Sequence, residues 1–293
     1  MTDADLVIKG LWAVGPAIGL ALLLGGASIW VPRLGPWGVA VASSAGMLFS
    51  LDWFGGEATA RWKWVVPAMI AWSVAGAVMT TLADDDPHSD DPPRYPAAKI
   101  GVALVFALIA MGLASATLFD GDGPERALVI VLVPLVLALV AGAPRDACRL
   151  DAVAVAVALG CAGPCILLAG NDGFFHVFLA LPAAAGVFAV VGLIQPRASR
   201  SAWVLLPGLA LAVAVGWNAN FEVPVTTVAA LLVIGCLPVL LAVSFPRASA
   251  WLPAAFVIVV SVATVGLLLA STDLSAYGIG SPPVSDDPFD FGY

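Results

Sequence analysis

The side chains able to do chemistry in this chain are few, and their spacing decides most of what they can do. The two histidines are His88 and His176. Two imidazoles ligate a haem or a metal only if they face one another, whereas His88 stands in an acidic connection and His176 just inside an apolar run, on opposite membrane faces by the charge pattern described below. His176 is therefore the one candidate ligand for a pigment or metal. A single imidazole at an interface, following Asn171, Asp172 and Gly173, reads more simply as a hydrogen-bonded residue after a turn, so neither a cofactor nor a metal is expected.

Asp84, Asp85, Asp86, Asp90 and Asp91 crowd the connection that holds His88, together with Pro87, Pro92, Pro93 and Pro96. Clustered carboxylates bind hard cations, yet this spacing matches no calcium loop, and acidic Pro-rich stretches stay extended and solvated. Of the four cysteines, Cys161 and Cys165 share one helix face, Cys236 lies inside another apolar run and Cys148 sits at a boundary. All four read as small packing residues. The chain contains no glycine-rich phosphate loop, nucleophile elbow or zinc-protease pattern. No titratable pair is placed for acid–base work, and 12 thinly spread basic residues make no nucleic-acid surface. The chain reads as non-catalytic.

Positioning these groups falls to the apolar segments, which dominate the sequence. Of 293 residues, 61% are apolar and 11% charged, against about a quarter charged in a soluble domain. That composition is one of an integral, multi-pass membrane protein. A bilayer core about 30 Å thick takes roughly 20 residues of helix. Ten apolar runs suit it, at 11–30, 36–51, 64–82, 100–118, 127–143, 152–169, 174–194, 202–217, 224–244 and 251–270. Those near Gly38, Val133 and Ala210 are short, and a re-entrant path would suit any of them. The predicted fold class is all-α, a polytopic bundle of about ten transmembrane helices in five sequential hairpins over 1–270, with an acidic tail at 271–293. Continuous runs exclude barrel strands, whose apolar residues alternate.

All charged side chains, 12 basic and 20 acidic, fall in the termini, the connections or the outermost positions of the runs. An ion-driven pump would place some of them at mid-membrane, so only neutral routes through the bundle remain open. Counting the connection after the first run as odd, the odd connections hold 8 of the 12 basic residues. Cytoplasmic loops carry the Lys and Arg excess, which places both termini on the exoplasmic side of a bacterial or archaeal cytoplasmic membrane. Asp3 and Asp5 against Lys9 give the wrong sign for a cleaved leader, so a retained exoplasmic N-terminus is expected. With 13 acidic and 4 basic residues, the exoplasmic face would attract cationic partners.

Each odd connection contains Pro-Arg: Pro32-Arg33, Pro93-Arg94, Pro144-Arg145, Pro196-Arg197 and Pro246-Arg247. From Arg94 onward the intervals are 51, 52 and 50 residues, and the last two copies extend to Pro-Arg-Ala-Ser. Tandem hairpin duplication would give this pattern. The simpler source is the interface itself, where Pro ends a helix and Arg reaches the headgroups. Trp30, Trp37, Trp53, Trp62, Trp64, Trp203, Trp217 and Trp251 lie near run ends and read as headgroup anchors, whereas Trp12 and Trp72 sit further in. Pro134, Pro164, Pro182 and Pro238 predict kinks or breaks. Small residues four apart, Gly15 with Gly19, Gly112 with Ala116, and Gly208 with Ala212 and Gly216, predict close helix packing, inside the protein or against a partner.

The tail carries four Asp and no basic residue, and its prolines prevent regular structure. Asp286, Asp287 and Asp290 interleave with Phe289, Phe291 and Tyr293. Aromatic anchors of this kind dominate interfaces, so these six residues are the candidate contacts to a basic exoplasmic surface on a neighbouring subunit. The favoured function is a non-catalytic structural or accessory subunit of a larger membrane protein complex, with the lipid bilayer and other membrane subunits as partners and no nucleic acid. The alternative is a membrane carrier for a neutral or lipidic small molecule.

Overall fold

The computed structural model describes residues 3–50, 65–83, 148–168, 172–206 and 251–271, with single positions at 101, 105, 108, 109, 208 and 209. Among the described residues every element is helical and none is a strand. In chain order they are α1 (Asp3–Trp30), α2 (Leu34–Ser50), α3 (Val65–Ala83), α4 (Asp151–Leu168), α5 (Asp172–Ile194), the short α6 (Pro196–Arg200), a 3-10 turn (Ser201–Leu205) and α7 (Trp251–Ser271). Among the described residues three stretches are long and apolar enough to cross a membrane: Gly10–Trp30 of α1, Asp151–Leu168 and Trp251–Ser271. The runs at 127–143 and 224–244, and most of those at 100–118 and 202–217, lie outside the described residues.

Proline explains where several helices begin. Pro36, Pro67 and Pro253 each occupy the third position of α2, α3 and α7, and Pro196 opens α6. First-turn N–H groups have no intrahelical partner, so a residue without one is harmless there and its fixed φ suits the helix. Pro16, Pro164 and Pro182 lie deeper, yet α1, α4 and α5 run through them without a break. Pro134 and Pro238 lie outside the described residues.

In a bilayer, lipid tails are as apolar as leucine, so helices associate by close packing more than by the hydrophobic effect. The bundle is accordingly built on small residues. α1 presents Ala13, Ala17 and Ala21 on one buried face and contacts α2 and α5. The three helices meet at Gly46 of α2, where a Cβ would lie 2.5 Å from the Ala13 carbonyl oxygen, 2.7 Å from Ala180 Cβ and 2.9 Å from Ala17 Cβ. α4 contacts both α5 and α7. Of their apolar windows, 61% of α4 is buried against 28% of α1 and 28% of α7, which makes α4 an inner helix and the other two outer ones.

The outer surface follows the same logic. Trp12 and Phe49 stack across the α1–α2 hairpin with ring centroids 6.4 Å apart. Trp30, Trp37 and Trp251 are exposed, as headgroup anchors must be. Trp203 corrects the expectation that it is an anchor, since it is only 2% exposed. The 3-10 turn that carries it contacts α2, α3, α4 and α5, and this tighter turn carries the indole into the bundle. Trp53, Trp62, Trp64 and Trp217 lie outside the described residues.

Candidate functional site

The polar groups that converge do so at one end of the bundle, around Pro32-Arg33, Cys148 to Asp151 and Gln195 to Ser201. Helix α1 ends because Pro32 has no N–H for the Ser28 carbonyl, which is thereby orphaned. The replacement donor is Gln195, the chain's single glutamine. With its side-chain amide assigned so that the nitrogen rather than the oxygen faces these carbonyls, Gln195 donates to Ser28 O at 3.2 Å and to Ile29 O at 3.0 Å. Backbone bonds from Leu34 N–H to Val31 O and from Gly35 N–H to Pro32 O then turn the chain into α2.

Two sets of contacts fix the start of α4. Cys148 N–H donates to Asp151 Oδ2 at 3.0 Å, Leu150 N–H donates to Cys148 Sγ at 3.4 Å and Asp151 N–H donates to Cys148 O at 3.2 Å, which closes the turn that leads into the helix. Cys148 thus helps to fix the entry turn, a role composition did not assign to it. A cap on the helix itself comes from some 50 residues further on: Ser199 Oγ accepts from Ala152 N–H at 2.9 Å and donates to Arg149 O at 3.0 Å. Ser199 is fully buried. Its approach needs Gly192, where a Cβ would collide with Ser199 Cβ, and Gly35 makes the same room for Ser201 Oγ.

These contacts hold three connections, far apart in sequence, side by side. Arg33, Arg149 and Arg197 are exposed at this end and Arg200 is half-buried. Asp151 is the one carboxylate among the described residues there, buried and accepting from the Cys148 amide. The arrangement is a hydrogen-bonded clasp with a cationic rim. It presents no nucleophile–base pair.

The other candidates fall elsewhere. His176 lies on the fifth residue of α5. The turn expected at Asn171, Asp172 and Gly173 is corrected in part, because α5 already begins at Asp172. Among the described residues no group of three or more His, Cys, Asp or Glu side chains is arranged to hold a metal ion. Cys165 is buried, with its Sγ donating to Cys161 O at 3.4 Å within the same helix. His88, the acidic connection, Cys236 and the tail candidates Asp286, Asp287, Phe289, Asp290, Phe291 and Tyr293 lie outside the described residues.

Composition and periodicity did not single out Gln195 or Ser199. The signal for Ser199 was present in the repeated Pro-Arg-Ala-Ser, read as a repeat without a role for its hydroxyl. For Gln195 the signal is a lone amide immediately before a helix-opening proline. Comparison of the chain with protein-family models, with curated proteins and with solved structures finds no match in any of the three.

Proposed function

We propose that the chain is a non-catalytic structural or accessory subunit of a larger membrane protein assembly. One observation carries the reading: among the described residues most buried hydroxyls are spent on the protein's own backbone, the exception being Ser261 Oγ on α7, which is buried without a partner. Ser28 donates to Gly25 O, Ser43 to Ala40 O, and Thr80 to Gly76 O and Ala77 O, all within their own helices. Ser199 is committed to the clasp. A carrier for a neutral solute would instead aim such groups into a shared passage. With helices in contact at Gly46, the described bundle has the character of a scaffold.

On this reading the full chain forms ten spans in five hairpins, with Pro-Arg connections in the cytoplasm, both termini exoplasmic and the acidic, aromatic tail docked on a neighbour. Orientation is tested by labelling Arg197→Cys and Asn171→Cys in a background with Cys148→Ser and the other cysteines replaced by alanine. A membrane-impermeant thiol reagent should reach them from opposite sides, and labelling of both from one side would reject the topology.

Assembly is tested at α1. Gly15 and Gly19 have nothing within 4 Å of where a Cβ would stand, on a helix that also exposes Leu11, Leu22 and Leu23. Leucine at both positions should leave the isolated chain folded while releasing it from its neighbours after gentle detergent extraction. Deleting 281–293 should weaken retention most at low salt, because at high salt the tail's charge attraction is already screened and only its aromatic contacts remain to be lost. Undiminished co-purification of both variants would remove α1 and the tail from the interface.

A further inference from the structure

The clasp does more than join connections, because it gathers guanidinium groups that the sequence spreads over some 170 residues, from Arg33 to Arg200. Ser199 Oγ holds the Arg149 carbonyl at 3.0 Å, which brings Arg149 beside the helix that carries Arg197 and Arg200. The fit of Ser201 against Gly35 brings Arg33 to the same place. The rim is flanked by exposed apolar side chains directly adjoining it in sequence, Trp30 and Val31 before Arg33, and Leu193 and Ile194 before Arg197. Cationic groups immediately above an apolar, aromatic edge match a membrane–water interface, and they match one class of ligand at both of its ends.

We propose that this end of the bundle binds an anionic glycerophospholipid, with its phosphodiester against Arg149 and Arg197 and its acyl chains along the edge formed by Trp30 and Ile194. A free phosphate would use the guanidinium groups but gain nothing from the apolar edge. A zwitterionic lipid would gain the edge but bring its own ammonium group to the rim. The inference rests on residence in a membrane and not on membership of an assembly, so each stands or falls separately.

The test is native mass spectrometry of the purified full chain released from nanodiscs containing equal parts of phosphatidylglycerol and phosphatidylcholine. Phosphatidylglycerol should be retained preferentially. An Arg beside an anionic surface contributes about fivefold in affinity, so Arg149→Gln with Arg197→Gln should cut the preference about thirtyfold. Lysine at both positions should keep most of it, which separates charge from any effect on folding. Lys9→Gln, at the opposite end of α1, should leave it unchanged, and millimolar inorganic phosphate should not compete. Equal retention of the two lipids by the wild type would overturn the proposal, as would an equal loss in Lys9→Gln, since net charge would then suffice. Displacement by inorganic phosphate would overturn it in favour of a free anion site.

Discussion

Gly46→Ala is expected to be among the most damaging single methyls that can be added to the described bundle, destabilising it by about 3 kcal/mol, at the upper end of ordinary overpacking. The new Cβ would meet a backbone oxygen of α1 at 2.5 Å and the Cβ atoms of Ala180 and Ala17 at 2.7 and 2.9 Å. None of these is the far end of a flexible chain. Relief requires α1 or α5 to move, and both are packed along their lengths against α2. The control is Gly15→Ala on α1, where open space surrounds the added methyl and helix propensity favours Ala over Gly by up to about 1 kcal/mol. Helicity followed by circular dichroism during denaturation in mixed micelles should show early loss for Gly46→Ala and none for Gly15→Ala. Equal stability of the two variants would mean that the three helices do not cross at Gly46.

The second large effect is expected at Ser199→Ala. Removing the hydroxyl leaves the Ala152 N–H without its cap and the Arg149 carbonyl without its donor, both bonds being made by one atom. Leaving buried groups unsatisfied costs about 1–3 kcal/mol. Because the lost contacts join connections, their effect should be local before it is global. Trypsin cleavage after Arg149 and Arg197, followed by mass spectrometry at a temperature well below unfolding, should accelerate several-fold in Ser199→Ala. Cysteine at the position keeps a weaker donor and acceptor of similar shape and should fall between. A cleavage rate equal to that of the wild type would show that the hydroxyl is not holding the connections together.

These two residues also mark what the sequence makes legible. Apolar run length is dictated by bilayer thickness, and charge is excluded from the runs by desolvation, so the helical class and the positions of α4 and α7 follow from composition along the chain. Which neighbour a helix face meets is not written locally. Gly15 and Gly19 have the spacing of a packing motif and stand open, whereas Gly46, unremarkable beside Ala42 and Ser50, is where three helices touch. Trp203 shows the same limit, since an aromatic beside a Pro-Arg connection suits a headgroup anchor until the 3-10 turn carries it inward. The clasp was half legible: Pro32 announces a helix end and an orphaned carbonyl, but the donor that answers it, Gln195, comes from another connection.

The central claim, that this is a scaffold subunit with no reaction or solute of its own, is tested most directly by extracting the wild-type chain gently from its native membrane and weighing what comes with it. Sizing followed by native mass spectrometry should find the chain in a species of defined stoichiometry with other membrane proteins. The Gly15→Leu, Gly19→Leu variant, extracted in the same way, should appear folded but alone. A wild-type chain that runs as a monodisperse particle of its own mass, and that gives saturable uptake of a neutral solute when reconstituted into vesicles, would contradict the claim and establish the carrier instead.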